Sequence, residues 1–108
     1  MTRIIYAVNK DEYSLTCEGH SGYAPFGQDI VCAGISTLTQ TLIWHMEAVA
    51  DTYRSDIKDG ALWCYGKGKG AVDASKVIMT GLSMLQSQYP SYISIEKGCT
   101  IQTQSPLR

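Results

Sequence analysis

Cys32 and His20 are the residues of this sequence best suited to covalent chemistry. A cysteine attacks a carbonyl carbon as the thiolate, and an unperturbed thiol is mostly protonated at neutral pH. The start of a helix stabilises a nearby anion by only about 0.3 to 1 kcal/mol, which is too little to ionise a thiol. A protonated imidazole can supply the rest. The pair therefore predicts a nucleophilic cysteine served by a histidine general base.

A glycine-containing loop joins these two residues. We interpret residues 21–28 as a lid over a bound peptide, because glycines at both ends can act as hinges and two aromatic rings can cover the substrate. The alternative is an ordinary surface connection. The residues assigned to this substrate loop are Ser21, Gly22, Tyr23, Phe26 and Gly27.

Asp29 ends the loop and is predicted to be the N-cap of a helix, since a carboxylate can accept the free amides of the first turn. We hypothesise that it also orients His20. The amides at the start of the same helix are expected to stabilise the oxyanion. Taken singly, each residue has a structural reading: Cys32 as a core thiol, His20 as a strand end and Asp29 as a cap. Their clustering within residues 20–32 leaves the two readings evenly balanced.

The elements that must position these groups follow from hydrophobic spacing. Apolar residues recur every three or four positions in two segments, which predicts amphipathic helices, and the second is stopped by Pro90. Short β-branched or aromatic runs predict strands. The expected order is ββαβαβ, an α+β fold with both helices on a small, mostly antiparallel or mixed sheet. The predicted elements are strands 3–8, 13–18, 61–65 and 92–96, helices from 29 to about 53 and from about 72 to 88, and a turn at 56–60.

Length and composition bound the function. The 108 residues are expected to form one domain, residues 1–108, and the formal charge of -1 provides no global positive field for nucleic acid or an anionic membrane. No apolar run is long enough for a signal peptide or a membrane span, so a cytoplasmic location is expected. The four cysteines form no CxxC pair, which predicts free thiols and neither a metal site nor a cofactor. Cys17 and Cys64 lie in predicted strands and are expected to be core thiols.

Two further features have structural interpretations. The segment 66–70 is glycine-rich and basic but lacks a phosphate-loop pattern, so nucleotide binding is not expected. Lys67 and Lys69 leave open an alternative class, a small ribosome-associated RNA-binding or scaffold protein with an inert thiol. Trp44 and Trp63 are candidates for the core or for a dimer interface.

The motif around Cys32 also carries a family resemblance. Gly19-His20, the run Gly22-Tyr23-Ala24, Gly27, and the helix start Asp29-Ile30-Val31-Cys32-Ala33 with Ser36 together resemble the ribosomal-processing cysteine proteases, the Prp family of bacterial proteins. Gly81-Leu82, Gln88-Tyr89-Pro90 and the following strand are also similar. The resemblance thus extends over nearly the whole chain.

This resemblance implies a cysteine endopeptidase that removes the N-terminal extension of large ribosomal subunit protein twenty-seven. It implies that Cys32 is the nucleophile and His20 the general base, with Asp29 and Ser36 in supporting roles. A homodimer with an α/β fold and a loop that closes over the peptide is also implied. Ser21 and Gly34 depart from the alanines usual at these positions, and both are small.

Overall fold

Two helices pack on one face of a five-stranded mixed sheet. The computed structural model describes residues 1–108. The α+β class and the arrangement of both helices on one small mixed sheet are confirmed. The elements are β1 Thr2–Val8, β2 Glu12–Glu18, α1 Ile30–Val49, β3 Thr52–Lys58, β4 Ala61–Lys67, α2 Lys69–Gln88 and β5 Ile93–Lys97.

The strands lie in the order β3-β4-β2-β1-β5. All neighbours are antiparallel except β1 and β5, which pair in parallel after the crossover through the rest of the chain. Alternate residues of the central strands face the helices, because side chains alternate between the two faces of a sheet. Tyr13, Leu15 and Cys17 of β2 join the apolar stripe of α1 in this core.

Strand β3 is the main difference from the sequence prediction. The first helix was expected to continue to about Tyr53, but it ends at Val49, and Tyr53 pairs with Gly66 of β4. The helical spacing of Tyr53 was misleading because β3 is an exposed edge strand and lacks apolar alternation. The predicted turn at 56–60 shortens to Asp59-Gly60, where Gly60 has a φ of +72°.

The helices approach closely where glycine faces leucine. A Cβ built on Gly34 would lie 3.1 Å from Leu85 Cδ2, and one on Gly81 would lie 3.1 Å from Leu38 Cδ2. Each contact is already near the limit for carbon atoms, so a larger side chain at either glycine would push α1 and α2 apart. Gly34 thus has a packing role behind the helix start that carries Cys32.

The C-terminal segment, residues 98–108, covers the sheet face opposite the helices. The Trp63 indole donates to the Gln102 carbonyl at 3.0 Å, the Gln102 amide donates to the Ser14 hydroxyl at 2.9 Å, and Arg54 donates to the Thr103 carbonyl at 2.9 Å. The central strands are consequently buried on both faces. Trp63 is therefore a core residue, whereas Trp44 on α1 is 80% exposed.

Neither helix is long and apolar enough to cross a membrane.

Candidate active site

Cys32 lies in the first turn of α1, and its thiol is hydrogen-bonded to one residue of the loop. The Ser21 amide donates to Cys32 Sγ at 3.3 Å, and the thiol donates to the Ser21 hydroxyl at 3.4 Å. The Cys32 side chain is only partly buried. The thiol is thus held by the loop and remains partly accessible.

Asp29 joins the helix start to the loop. It is the N-cap, as predicted, and its Oδ1 accepts the Cys32 amide at 2.9 Å. Its Oδ2 accepts the Ser21 hydroxyl at 2.5 Å, and the amides of Tyr23 and Ala24 at 3.1 and 3.4 Å. Burial opposes ionisation of Asp29, but the hydrogen bonds from Ser21, Cys32 and Ala24 outweigh it and lower the pKa to about 2. No hydrogen bond of this carboxylate goes to His20, so in this structure Asp29 orients the loop.

His20 is positioned by the turn between β3 and β4. The Gly19 amide donates to the Gly60 carbonyl at 2.8 Å, which fixes the backbone just before the histidine. The imidazole lies over Gly60, where an added Cβ would approach Nε2 to 3.3 Å. The hydrogen bonds of the Cys32 thiol go to Ser21 and none goes to His20.

Two clefts meet at the thiol. One, of about 260 Å³, extends from Cys32 toward the β3–β4 turn. The other, of about 470 Å³, extends under the loop. Cys32, His20 and Ser36 line both. The structure therefore brings the predicted thiol and imidazole to one place between two open grooves.

The first cleft also contains residues that the sequence did not single out. Lys58 and Asp59 line it beside His20. They went unnoticed because this segment was predicted to be only a turn, whereas β3 carries it to the site. The Asp-Gly pair at 59–60, which is typical of tight hairpins, was the available signal.

The predicted substrate loop divides into a fixed and an exposed part. Ser21 is buried, and the Tyr23 ring packs edge-on against Tyr89 and Tyr92, at 5.4 Å between centroids in each case. Neither Ser21 nor Tyr23 lines a cleft at the thiol. The members that line the larger cleft are Gly22, Phe26 and Gly27.

Comparison with protein families decides the class of this site. The sequence model of the family described as cysteine protease Prp matches residues 1–94. The chain belongs to the cysteine protease Prp family. It is accordingly an enzyme, a cysteine-type protease. No curated protein matches the chain.

Solved structures share the Prp fold. The ribosomal processing protease Prp from S. aureus with a covalently linked product peptide has a TM-score of 0.81 and 18% identity. The same protease with a substrate peptide has a TM-score of 0.77 and 17% identity. Each alignment covers 91% of this chain and 100% of that chain. A Streptococcus mutans protein has a TM-score of 0.62 and 23% identity over 90% of this chain and 93% of its own.

Two of the helix-start amides that were expected to stabilise an oxyanion already have acceptors in this Prp-family chain. The Cys32 amide donates to Asp29 Oδ1, and the Ala33 amide donates to the Asp29 carbonyl. The Ser21 amide donates to the sulfur at 3.3 Å.

The remaining thiols of the Prp domain differ from Cys32 in accessibility. Cys17 and Cys64 are buried, as predicted, and burial raises the pKa of each to about 12. Cys99 is exposed on the C-terminal segment. No group of three or more His, Cys, Asp or Glu side chains is arranged to hold a metal ion.

The basic, glycine-rich segment 66–70 is part of regular secondary structure in the Prp fold. Its first two residues end β4 and its last two begin α2, with Gly68 between them at a φ of +114°. Lys69 is paired with Asp73 at 2.8 Å. These contacts give the segment a structural role.

Proposed function

We propose that this chain is a cytoplasmic, homodimeric endopeptidase that removes the N-terminal extension of large ribosomal subunit protein twenty-seven. Cys32 is the nucleophile and His20 the general base. The observation that carries the proposal is the shared position of these two side chains: both line the same two clefts at the start of α1, in a chain of the cysteine protease Prp family.

The form of the clefts supports an extended peptide as the substrate. One is lined by the β3–β4 turn and the other by the loop, so a chain that crosses the thiol would place residues before and after the scissile bond in separate grooves. Phe26 is 98% exposed at the edge of the larger groove and offers an aromatic contact to an apolar substrate residue. The S. aureus relative, described as a ribosomal processing protease, holds a substrate peptide.

The chemistry then runs in two stages. The Cys32 proton passes to His20, the sulfur attacks the scissile carbonyl carbon, and a tetrahedral oxyanion forms. When the carbon–nitrogen bond breaks, the imidazolium protonates the leaving amine and an acyl-enzyme remains. His20 then takes a proton from water, the hydroxide attacks the thioester, and the carbon–sulfur bond breaks to release the new carboxylic acid, which loses its proton to water. The thiolate recovers its proton from His20.

A movement must precede this sequence, because the thiol proton is directed at Ser21 in the structure. Gly22 and Gly27, with φ of +76° and +85°, have no heavy atom within 4 Å of an added Cβ. These two positions leave room for backbone rotation, which would move the segment between them together with Tyr23, whose amide donates to Asp29 in the structure. Closure of the tip over a peptide would turn the sulfur toward His20.

The decisive experiment is cleavage of a peptide that spans the extension junction of the ribosomal protein. The wild type should release one N-terminal fragment, and Cys32→Ser and His20→Ala should release none while they unfold at the wild-type temperature. Iodoacetamide at neutral pH should label Cys32 faster than the buried Cys17 and Cys64. Absence of cleavage by the wild type would refute the proposed substrate. Cleavage by Cys32→Ser would refute the assigned nucleophile.

The dimer is tested separately by sedimentation equilibrium. We expect a mass of about two chains at micromolar concentration, since most soluble oligomers of one chain are two-fold dimers. A single species at the 11.8 kDa of one chain would refute that part of the proposal.

A further inference from the structure

Ser21 makes both hydrogen bonds of the Cys32 thiol, although the mechanism gives it no role. It is 2% exposed, and its hydroxyl donates to Asp29 Oδ2 at 2.5 Å and accepts the Tyr23 amide at 3.3 Å. The same hydroxyl accepts the thiol of Cys32 at 3.4 Å. A serine hydroxyl has one hydrogen and two lone pairs, so this arrangement satisfies it completely.

The direction of these hydrogen bonds determines what the hydroxyl does to the thiol. Its only hydrogen is directed at the Asp29 carboxylate, whose anion is the stronger acceptor. It therefore presents a lone pair to Cys32 Sγ. A lone pair stabilises the S–H form and repels a thiolate, because the thiolate has no hydrogen to donate.

We propose that Ser21 is a positioning residue whose hydroxyl favours the protonated Cys32 thiol and directs it away from His20 until the loop closes on a substrate. This inference rests on the proposed function, since it takes Cys32 to be the nucleophile. Its hydroxyl donates to the Asp29 carboxylate and accepts the hydrogen of the Cys32 thiol. Closure that moves the Ser21 hydroxyl away from the sulfur would remove the acceptor of the thiol proton and leave that proton free for His20.

The other titratable groups near the thiol are retained when Ser21 is replaced, and of these Asp29 alone loses a hydrogen bond from the Ser21 hydroxyl. His20 comes from the end of β2, Cys17 from β2 itself, Lys58 and Asp59 from the β3–β4 turn, and Asp29 from the helix start. The effect of the hydroxyl is thus obtained by comparing variants at position 21 alone. Ser21→Ala removes the lone pair and keeps the backbone amide that donates to the sulfur.

The test is the pH dependence of iodoacetamide labelling at Cys32, followed by mass spectrometry of the Cys32 peptide. In Ser21→Ala the pH of half-maximal labelling should fall by about half a unit, because a thiol is a weak donor and one hydrogen bond is lost. Labelling on the acidic side should then be about threefold faster than in the wild type. Ser21→Thr keeps the hydroxyl and should restore the wild-type midpoint. A general loosening of the loop would accelerate labelling at every pH and leave the midpoint unchanged.

An unchanged or higher midpoint in Ser21→Ala, in a variant with the wild-type unfolding temperature, overturns the inference. Peptide cleavage is measured in parallel, and its acidic limb should shift by the same amount. If the midpoint falls in Ser21→Ala while the wild type cleaves no junction peptide, the role of Ser21 is supported and the proposed substrate is rejected.

Discussion

Replacement of Asp29 should destabilise the protein more than an ordinary helix-cap substitution does. Loss of an N-cap side chain costs about 0.5 to 2 kcal/mol. In addition, Asp29→Ala leaves the buried Ser21 hydroxyl without its acceptor, which costs about 1 to 3 kcal/mol. The amides of Tyr23 and Ala24 also lose a partner, but Tyr23 is exposed, so water replaces much of that bond. We expect a loss of about 2 to 4 kcal/mol in the free energy of unfolding.

Urea unfolding at neutral pH, monitored by far-ultraviolet circular dichroism, measures this loss. The corresponding fall in Tm is about 10 °C or more for a domain of this size. Asp29→Asn is the matched control, because asparagine is also a good N-cap and its carbonyl can still accept the Cys32 amide. Its NH₂ group cannot accept the Tyr23 and Ala24 amides, so an intermediate loss is expected.

The pH dependence of the free energy of unfolding distinguishes the effect of the Asp29 charge from that of its hydrogen-bonding geometry. The folded-state pKa, about 2, lies below the usual 3.8, so the ionised carboxylate stabilises the fold above about pH 4. This contribution is lost as the pH falls from about 4 toward 2. The stability gap between wild type and Asp29→Asn should therefore narrow over that interval. A loss of about 1 kcal/mol or less in Asp29→Ala, which a cap alone would explain, or a gap that stays constant between neutral pH and pH 3, would refute the reasoning.

Two other sites give predictions of a different kind. Gly60→Ala places a Cβ 3.3 Å from His20 Nε2 at a φ of +72°, so peptide cleavage should fall at least about tenfold, since small misplacements of a catalytic group are costly. Deletion of residues 99–108 uncovers Trp63 and removes the acceptor of its indole, which should lower the Tm and shift tryptophan emission to the red.

Each of these predictions has a control. Gly27→Ala carries the same kind of backbone strain as Gly60→Ala but has no neighbour within 4 Å, and its measured Tm calibrates that strain. The deletion is made in a Trp44→Phe background, because the exposed Trp44 would otherwise dominate the emission. Full cleavage by Gly60→Ala would show that the turn does not position His20. An unchanged emission maximum after the deletion would show that the segment does not cover Trp63.

Local patterns predicted much of the site because its parts are close in sequence. Asp29 caps the helix that carries Cys32, and both positions depend on hydrogen bonds within three residues. The pairing of β1 with β2 likewise joins neighbouring segments through a short polar turn. Apolar spacing placed both helices, because each buries one stripe against the sheet.

Local patterns did not predict the edge strand β3 or the position of the C-terminal segment. Strand β3 has no apolar alternation, because it lies at the edge of the sheet and its side chains are largely exposed. Its strand character comes from pairing with β4. The C-terminal segment is polar, yet it is held by hydrogen bonds to Trp63, Ser14 and Arg54, which come from three different strands. Contacts of this kind join residues far apart in the chain and leave no periodic signal.

Local propensity and short-range spacing were enough to predict the fold class, the helix start that bears Cys32 and the nearby histidine. The partner of the thiol depends on tertiary contacts, and the sequence did not predict it. The tertiary structure directs the sulfur to Ser21, sets His20 against Gly60 of a distant hairpin, and adds Lys58 and Asp59 to the cleft. The physical reason is that hydrogen-bond direction and side-chain contact are set when separate strands close into one sheet, whereas the order of residues fixes only which groups are available.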